Sequence, residues 1–243
     1  MIATVADSVL SGAPGSLVLE PEGLPASPAA PAPWTLTGSG YVFLVRLPES
    51  MTDAELFTPP ALRGKRVGRV ARLMLVDYAT SAVGPYRELL VTPGFFRNQG
   101  RRFHSVTRIF VSTYESVVNG RRNWGIPKDV AEFSIDRRDA RTEHIAVSRS
   151  GKVFAELDVQ SYGFSIPIRS GLLPAVEHTL LQPWAGRTYE TRLAARGLAR
   201  PARVLGSRFD AELFPDLSRG NVTGGFFLPR FTMTFPMARV TAA

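Results

Sequence analysis

Lysine is the scarce chemical group in this sequence. Of its 29 basic residues only Lys65, Lys128 and Lys152 are lysine, and the rest are arginine. Arginine stays protonated in proteins, whereas a desolvated lysine can lose its proton and act as an amine nucleophile. Cysteine is absent, which excludes thiolate nucleophiles, thiolate metal sites and disulfides together. The three histidines, His104, His144 and His178, show no HxH or HxxxH spacing, so no metal site is expected. His104 has no acid partner in sequence and reads as a structural histidine. Lys65 falls in the basic loop Arg63-Gly-Lys-Arg66, and Lys152 on the polar face of an alternating strand, so both read as surface charges. Lys128 differs: it follows Pro127 and the turn residue Gly125, among Trp124, Ile126, Val130 and Phe133. An amine against apolar surface has its charged form destabilised, so its pKa falls. It can then attack a ketone, and the resulting imine is an electron sink for breaking an adjacent C–C or C–H bond. On residue type alone a lysine at a strand start is more often a surface charge.

The surrounding pattern argues for the reactive alternative. Gly120-Arg121, five residues, then Pro127-Lys128 resembles the Gly-Arg-x5-Pro-Lys signature of the acetoacetate decarboxylase family. Upstream, Gly84-Pro-Tyr86-Arg-Glu88 resembles that family's Gly-x-Tyr-x-Glu element, and Trp34-Thr-Leu-Thr-Gly-x-Gly-Tyr41 is similar to the entry of its bacterial members. The resemblance covers roughly residues 34–240. It implies a Schiff base between Lys128 and a β-keto acid, with Glu88 as general acid/base or orienting group. It also implies a homo-oligomer. Tyr86, Trp124, Phe231 and Met233 are expected to contact substrate. No cofactor is expected, since the imine is the electron sink.

The departures bear on mechanism. Acetoacetate decarboxylase is itself the standard example of a lysine activated by a neighbouring cation, and here the position after the nucleophile is Asp129. A nearby carboxylate would favour the ammonium form, whereas an Asp129 turned away would leave activation to desolvation. By spacing, the family's second acidic residue falls on Leu73, and its carboxylate-binding arginine falls near Ser39. The set supports imine chemistry more than decarboxylation of acetoacetate itself. An aldolase-dehydratase on a larger keto acid and a non-catalytic barrel for an apolar ligand are the two rivals.

The elements that must position these residues are mostly strands. Tyr41–Leu47 and Val70–Val76 are dense apolar runs, and Lys152–Val159, Phe164–Ile168 and Phe231–Met237 alternate at period two. Helices are short: Asp53–Leu56, Asp210–Leu213, and Ser112–Gly120, which opens on a Ser or Thr cap and stops at glycine. The expected fold is mainly β (α+β), an acetoacetate decarboxylase-like closed β-barrel or double-layer β-cone with a few short helices. Residues 1–33 hold six of the 19 prolines and read as a flexible Pro/Ala-rich tail before a single domain, 34–243. The N-terminus is a poor secretory signal and no run is long enough to span a bilayer, so a cytoplasmic protein without membrane contact is expected. The net charge of +8 is spread along the chain without a reader motif, so nucleic acid is not an expected partner. A small-molecule keto acid is.

Overall fold

The structure, a computed structural model, describes residues 25–242. Its strands are β1 (Trp34–Arg46), β2 (Arg66–Val67), β3 (Val70–Thr80), β4 (Tyr86–Thr92), β5 (Phe95–Asn98), β6 (Arg101–His104) and β7 (Arg108–Val111). Helix α1 (Tyr114–Trp124) leads into β8 (Lys128–Val130), β9 (Glu132–Arg137), β10 (Thr142–Arg149), β11 (Lys152–Ser161) and β12 (Ile166–Arg169). The chain ends in β13 (Thr179–Trp184), β14 (Arg187–Arg192), β15 (Ala194–Phe209), β16 (Asn221–Phe235) and β17 (Arg239–Ala242). The mainly β expectation holds. The apolar runs became β1 and β3, and the alternating segments became β11, β12 and β16.

A closed barrel is not found among the described residues. Ten strands form an open mixed sheet ordered β8-β7-β4-β3-β1-β16-β15-β11-β10-β9, with β12 also on β15, and six more form a second sheet, β17-β14-β13-β6-β5-β2. The two edges of the large sheet, β8 and β9, are successive parts of one extended segment separated only by Ala131. Consecutive pieces running the same way cannot pair with each other, so the edges are joined by the chain and not by a ladder.

Alternation gives the large sheet two different faces. Phe43, Leu73, Leu75, Leu89, Val91 and Phe110 fall in one buried cluster. Their neighbours Val76, Tyr78, Tyr86, Leu90, Ile109 and Val111 fall in another, shared with Val117 and Trp124 of α1. Helix α1 therefore covers one face only.

That helix runs past Gly120, its expected stop, to Trp124, and ends at Gly125 in the left-handed conformation (φ 62°) with its N–H on the Arg121 carbonyl. Gly125 takes the terminating role because its positive φ suits glycine. Thr113 occupies the cap position without a side-chain hydrogen bond. The segments expected as helices at 53–56 and 210–213 are turns. Part of the expected flexible stretch is also tied down. Ala30 N–H donates to Asn119 Oδ1 (2.8 Å), Asn119 Nδ2 donates to the Pro28 carbonyl (3.1 Å), and Asn123 Nδ2 donates to the Ala30 carbonyl (2.8 Å). Asn119 and Asn123 are one helical turn apart and share a face. The remainder, 1–24, lies outside the described residues.

Candidate active site

Lys128 opens β8, where it pairs with Ile109 of β7 in a short parallel ladder. Each residue of its sequence signature has a mechanical part in holding it. Arg121 Nε donates to the Lys128 carbonyl (2.9 Å), fixing the lysine's backbone. Gly120 faces the side chain: a Cβ there would lie 2.6 Å from Lys128 Cδ and 2.8 Å from Cε. Gly125 turns the chain out of α1 so that Ile126 and Pro127 can lead into the strand. The glycine expected to end a helix is instead the notch through which the lysine passes.

Lys128 is 4% exposed. Its three donors meet three oxygens: Glu88 Oε2 at 3.0 Å, Ser116 Oγ at 3.0 Å and Tyr86 Oη at 3.3 Å. Glu88 and Tyr86 are two apart on β4 and share a face, and the Tyr78 hydroxyl donates to the other Glu88 oxygen at 3.4 Å. Three acceptors match the three N–H groups of an ammonium. Burial alone lowers the Lys128 pKa. The Glu88 carboxylate, with Tyr86, outweighs it, so the net direction is upward. This overturns the expectation of a depressed amine pKa: the environment is buried, as expected, but it is also paired. Burial pushes the Tyr86 hydroxyl up to about 12, so it stays protonated.

Asp129 faces the other way. Its carboxylate accepts from Arg149 at 2.7 Å and from the Val130 N–H at 2.9 Å. Strand alternation sends Lys128 and Asp129 to opposite faces, so Asp129 neither tunes nor opposes the amine directly.

Beyond the amine lies a cavity of about 190 Å³ lined by Lys128, Glu88, Tyr78, Arg72, His104 and Met233, among others. An apolar cavity of about 150 Å³ holds benzene, so this one suits a small organic acid. Leu90, Ile126, Leu180 and Phe235 give it apolar walls. Larger concavities of about 400 and 710 Å³ lie elsewhere, and neither includes Lys128 or Glu88. The chemistry of the buried amine marks the smaller one as the candidate site.

Of the residues proposed from sequence, Lys128, Glu88 and Met233 line this cavity. Tyr86 lies against the amine, outside the wall, and Tyr78 takes the wall position. Trp124 is core: its indole N–H donates to the Pro236 carbonyl and its ring packs edge-on against Trp34. Phe231 lines an adjacent cavity of about 40 Å³ with Met233. Leu73 sits on the opposite sheet face, and the positions of β3 that reach the cavity are Arg72, Met74 and Tyr78. Neighbouring positions of a strand alternate faces, so the leucine reached by counting from Glu88 lies in the core and adds no acid to the cavity. Ser39 lines a separate small cavity with Asp77 and Arg87. Sequence reasoning missed Ser116, Arg72 and His104. Ser116 stands one helical turn before Gly120, and that spacing was the available signal.

Arg72 donates to the Glu177 backbone carbonyl (2.7 Å) and bonds its carboxylate. His104, expected as a structural histidine, lies buried at the cavity wall. Its Nδ1 contacts the Gly94 carbonyl at 3.0 Å, while the buried Nε2 has no hydrogen-bond partner. Burial, with Arg72, lowers its pKa to about 4. The groups facing it are Arg72 of β3, the Phe95 ring of β5, and Glu177 of the 175–178 turn. An unfolded histidine titrates near 6.5, so between about 6.5 and 4 the unfolded chain binds a proton that the folded one refuses. Folding stability should therefore fall as pH drops through that window, by roughly 2–3 kcal/mol from this residue. Denaturant melts at pH 7 and 4.5 should show a smaller acid loss for His104→Leu than for the parent.

The sequence model of the acetoacetate decarboxylase family matches residues 41–170. No curated protein matches the chain. Among solved structures, an acetoacetate decarboxylase-like enzyme from Sphingomonas wittichii RW1 is 14% identical with a TM-score of 0.65, over 90% of this chain and 96% of that one. Acetoacetate decarboxylase from Legionella pneumophila is 15% identical with a TM-score of 0.63, over 99% and 96%. The enduracididine biosynthesis enzyme MppR, solved with pyruvate, is 17% identical with a TM-score of 0.61, over 93% and 96%. At these identities the likeness is one of fold.

Proposed function

The chain belongs to the acetoacetate decarboxylase family, and from that premise we propose that it is a lyase-like enzyme that captures a small keto acid as an imine on Lys128. The observation that carries this reading is the buried Lys128–Glu88 pair at the wall of a cavity of about 190 Å³. In the resting state the amine is held as ammonium. When a ketone enters, Glu88, 3.0 Å away, takes the proton. The neutral amine then attacks the carbonyl carbon, the carbinolamine loses water, and the iminium draws electrons from the bond next to it. If that bond leads to a carboxylate, carbon dioxide leaves and the enamine is reprotonated at carbon. If it is C–H, Glu88 takes the proton. Arg72 is the cation placed to meet the substrate carboxylate, replacing the arginine sought near Ser39. Buried proton donors of this kind contribute about 10²–10⁴-fold to such steps.

The cavity volume favours small acids over the larger substrates of an aldolase-dehydratase. A buried ion pair at the cavity wall is also more than an inert apolar binder needs, because desolvating two charges costs several kcal/mol per ion before pairing offsets it. We expect the protein to work as a homo-oligomer, as the family resemblance implies.

Intact and peptide mass spectrometry after borohydride reduction, with a keto acid panel including acetoacetate and pyruvate, tests the assignment. The expected result is one reduced adduct, mapped to Lys128, with carbon dioxide release separating decarboxylation from aldol chemistry. Folded protein that traps no keto acid would overturn the enzyme reading in favour of the binding module.

A further inference from the structure

The far end of the cavity holds Arg72, the cation already placed for a substrate carboxylate, beside His104, which the amine chemistry leaves unused. On β4, Thr92 lies four residues beyond Glu88, about 13 Å along the strand, and it pairs with Arg72 of β3. Arg72 therefore stands at the end of the cavity remote from Lys128. Beside it is His104, 3% exposed. The Gly94 carbonyl can only accept, so His104 Nδ1 carries the proton and the buried Nε2 keeps a bare lone pair on a residue that lines the cavity, 3.8 Å from Glu177 Oε2. A buried acceptor without a donor bears its desolvation penalty uncompensated, and a ligand donor would remove it.

Glu177 marks what fits there. Its Oε2 bonds Arg72 and lies 3.8 Å from His104 Nε2. A carboxylate satisfies the guanidinium but has no hydrogen for the imidazole. A hydroxyl on the carbon next to a carboxylate supplies it. Glu177 comes from the short turn Ala175–His178, and its side chain is 29% exposed, so it can give way to water.

We propose that Arg72 and His104 form a subsite for a 2-hydroxy carboxylate, the carboxylate replacing Glu177 on Arg72 and the hydroxyl donating to His104 Nε2, with the ketone of the same molecule at Lys128. The proposal rests on imine formation at Lys128. It makes His104 a specificity residue and the substrate a hydroxylated keto acid. The neutral ring state agrees with its pKa of about 4.

The test compares borohydride trapping of 2-hydroxy-4-oxopentanoate and 4-oxopentanoate on the full chain. The hydroxy acid should reach half-maximal trapping at a concentration at least about tenfold lower, as expected for one buried hydrogen bond gained. In His104→Leu that preference should fall below about twofold. Equal trapping of both acids by the parent, or a preference that survives in His104→Leu, overturns the subsite while leaving imine formation standing. No adduct with any keto acid overturns the reading beneath it. On unsubstituted protein, the nitrogen resonance of His104 Nε2 should move on adding the hydroxy acid and not on adding 4-oxopentanoate. An unmoved resonance also overturns the subsite.

Discussion

Glu88→Gln should separate the reactivity of Lys128 from its productivity. The substitution keeps the shape of the side chain and removes the counter-charge 3.0 Å from Nζ. What remains is an ammonium at a 4% exposed position, and breaking such a pair from one side costs about 3–5 kcal/mol. Burial, the largest influence on Lys128, is then opposed only by the weaker contact with Tyr86 and pulls its pKa below the ordinary value. The sign follows. A lysine with a depressed folded pKa binds fewer protons folded than unfolded, so the variant gains stability as pH rises toward about 10.5. The parent, with its pKa raised, shows no such gain. The neutral fraction of the amine at pH 7 rises with that downward shift, so reductive trapping should quicken by tenfold or more. Turnover should instead fall about 10²–10⁴-fold, because the group that moves protons at the reacting carbon is gone. Parallel pH series of melts, trapping rates and product formation check this. A variant that traps no faster at pH 7 would show that Glu88 does not hold the amine as ammonium.

Gly120→Ala should do nearly the reverse, sparing the fold and silencing the amine. Within a helix alanine is favoured over glycine by about 1 kcal/mol. The added Cβ would sit 2.6 Å from Lys128 Cδ, so the lysine must leave its channel and with it the oxygens of Glu88 and Ser116. Adduct formation should drop at least about a hundredfold, because a misplacement of an ångström is enough for that. The helix gain offsets part of the lost pairing, so the melting temperature should stay within several degrees. Trapping at the parental rate would mean that α1 shifts to make room.

The two faces of one strand explain what could be read from sequence and what could not. Lys128 and Glu88 were legible because each sits in a short signature whose neighbours have local jobs, such as Arg121 gripping the lysine carbonyl. The apolar runs of β1 and β3 announced themselves by density, and β11 by alternation. Which face of β3 meets the cavity depends on its pairing with β4, and that register is not visible from one strand alone. Spacing alone places the family's second acidic position on Leu73, which the pairing turns to the core, while Arg72 and Met74 reach the cavity. The same limit hid His104, whose role depends on Gly94 and Glu177, distant in sequence. The upward pKa of Lys128 was missed because local sequence shows the apolar neighbours of an amine but not its partner 40 residues away.

Helix α1 also has a second side. Ser116 and Gly120 face the lysine, and Asn119, wholly buried, is bonded to Pro28 and Ala30 together with Asn123. The proline-containing segment is thus a strap across the back of the helix that shapes the amine's channel, about one helix diameter, roughly 10 Å, from it. A boundary drawn at Trp34 would strip a buried amide of partners on a helix the nucleophile leans on. The alanines and prolines that read as spacer thus supply hydrogen-bond partners to the helix beside the nucleophile.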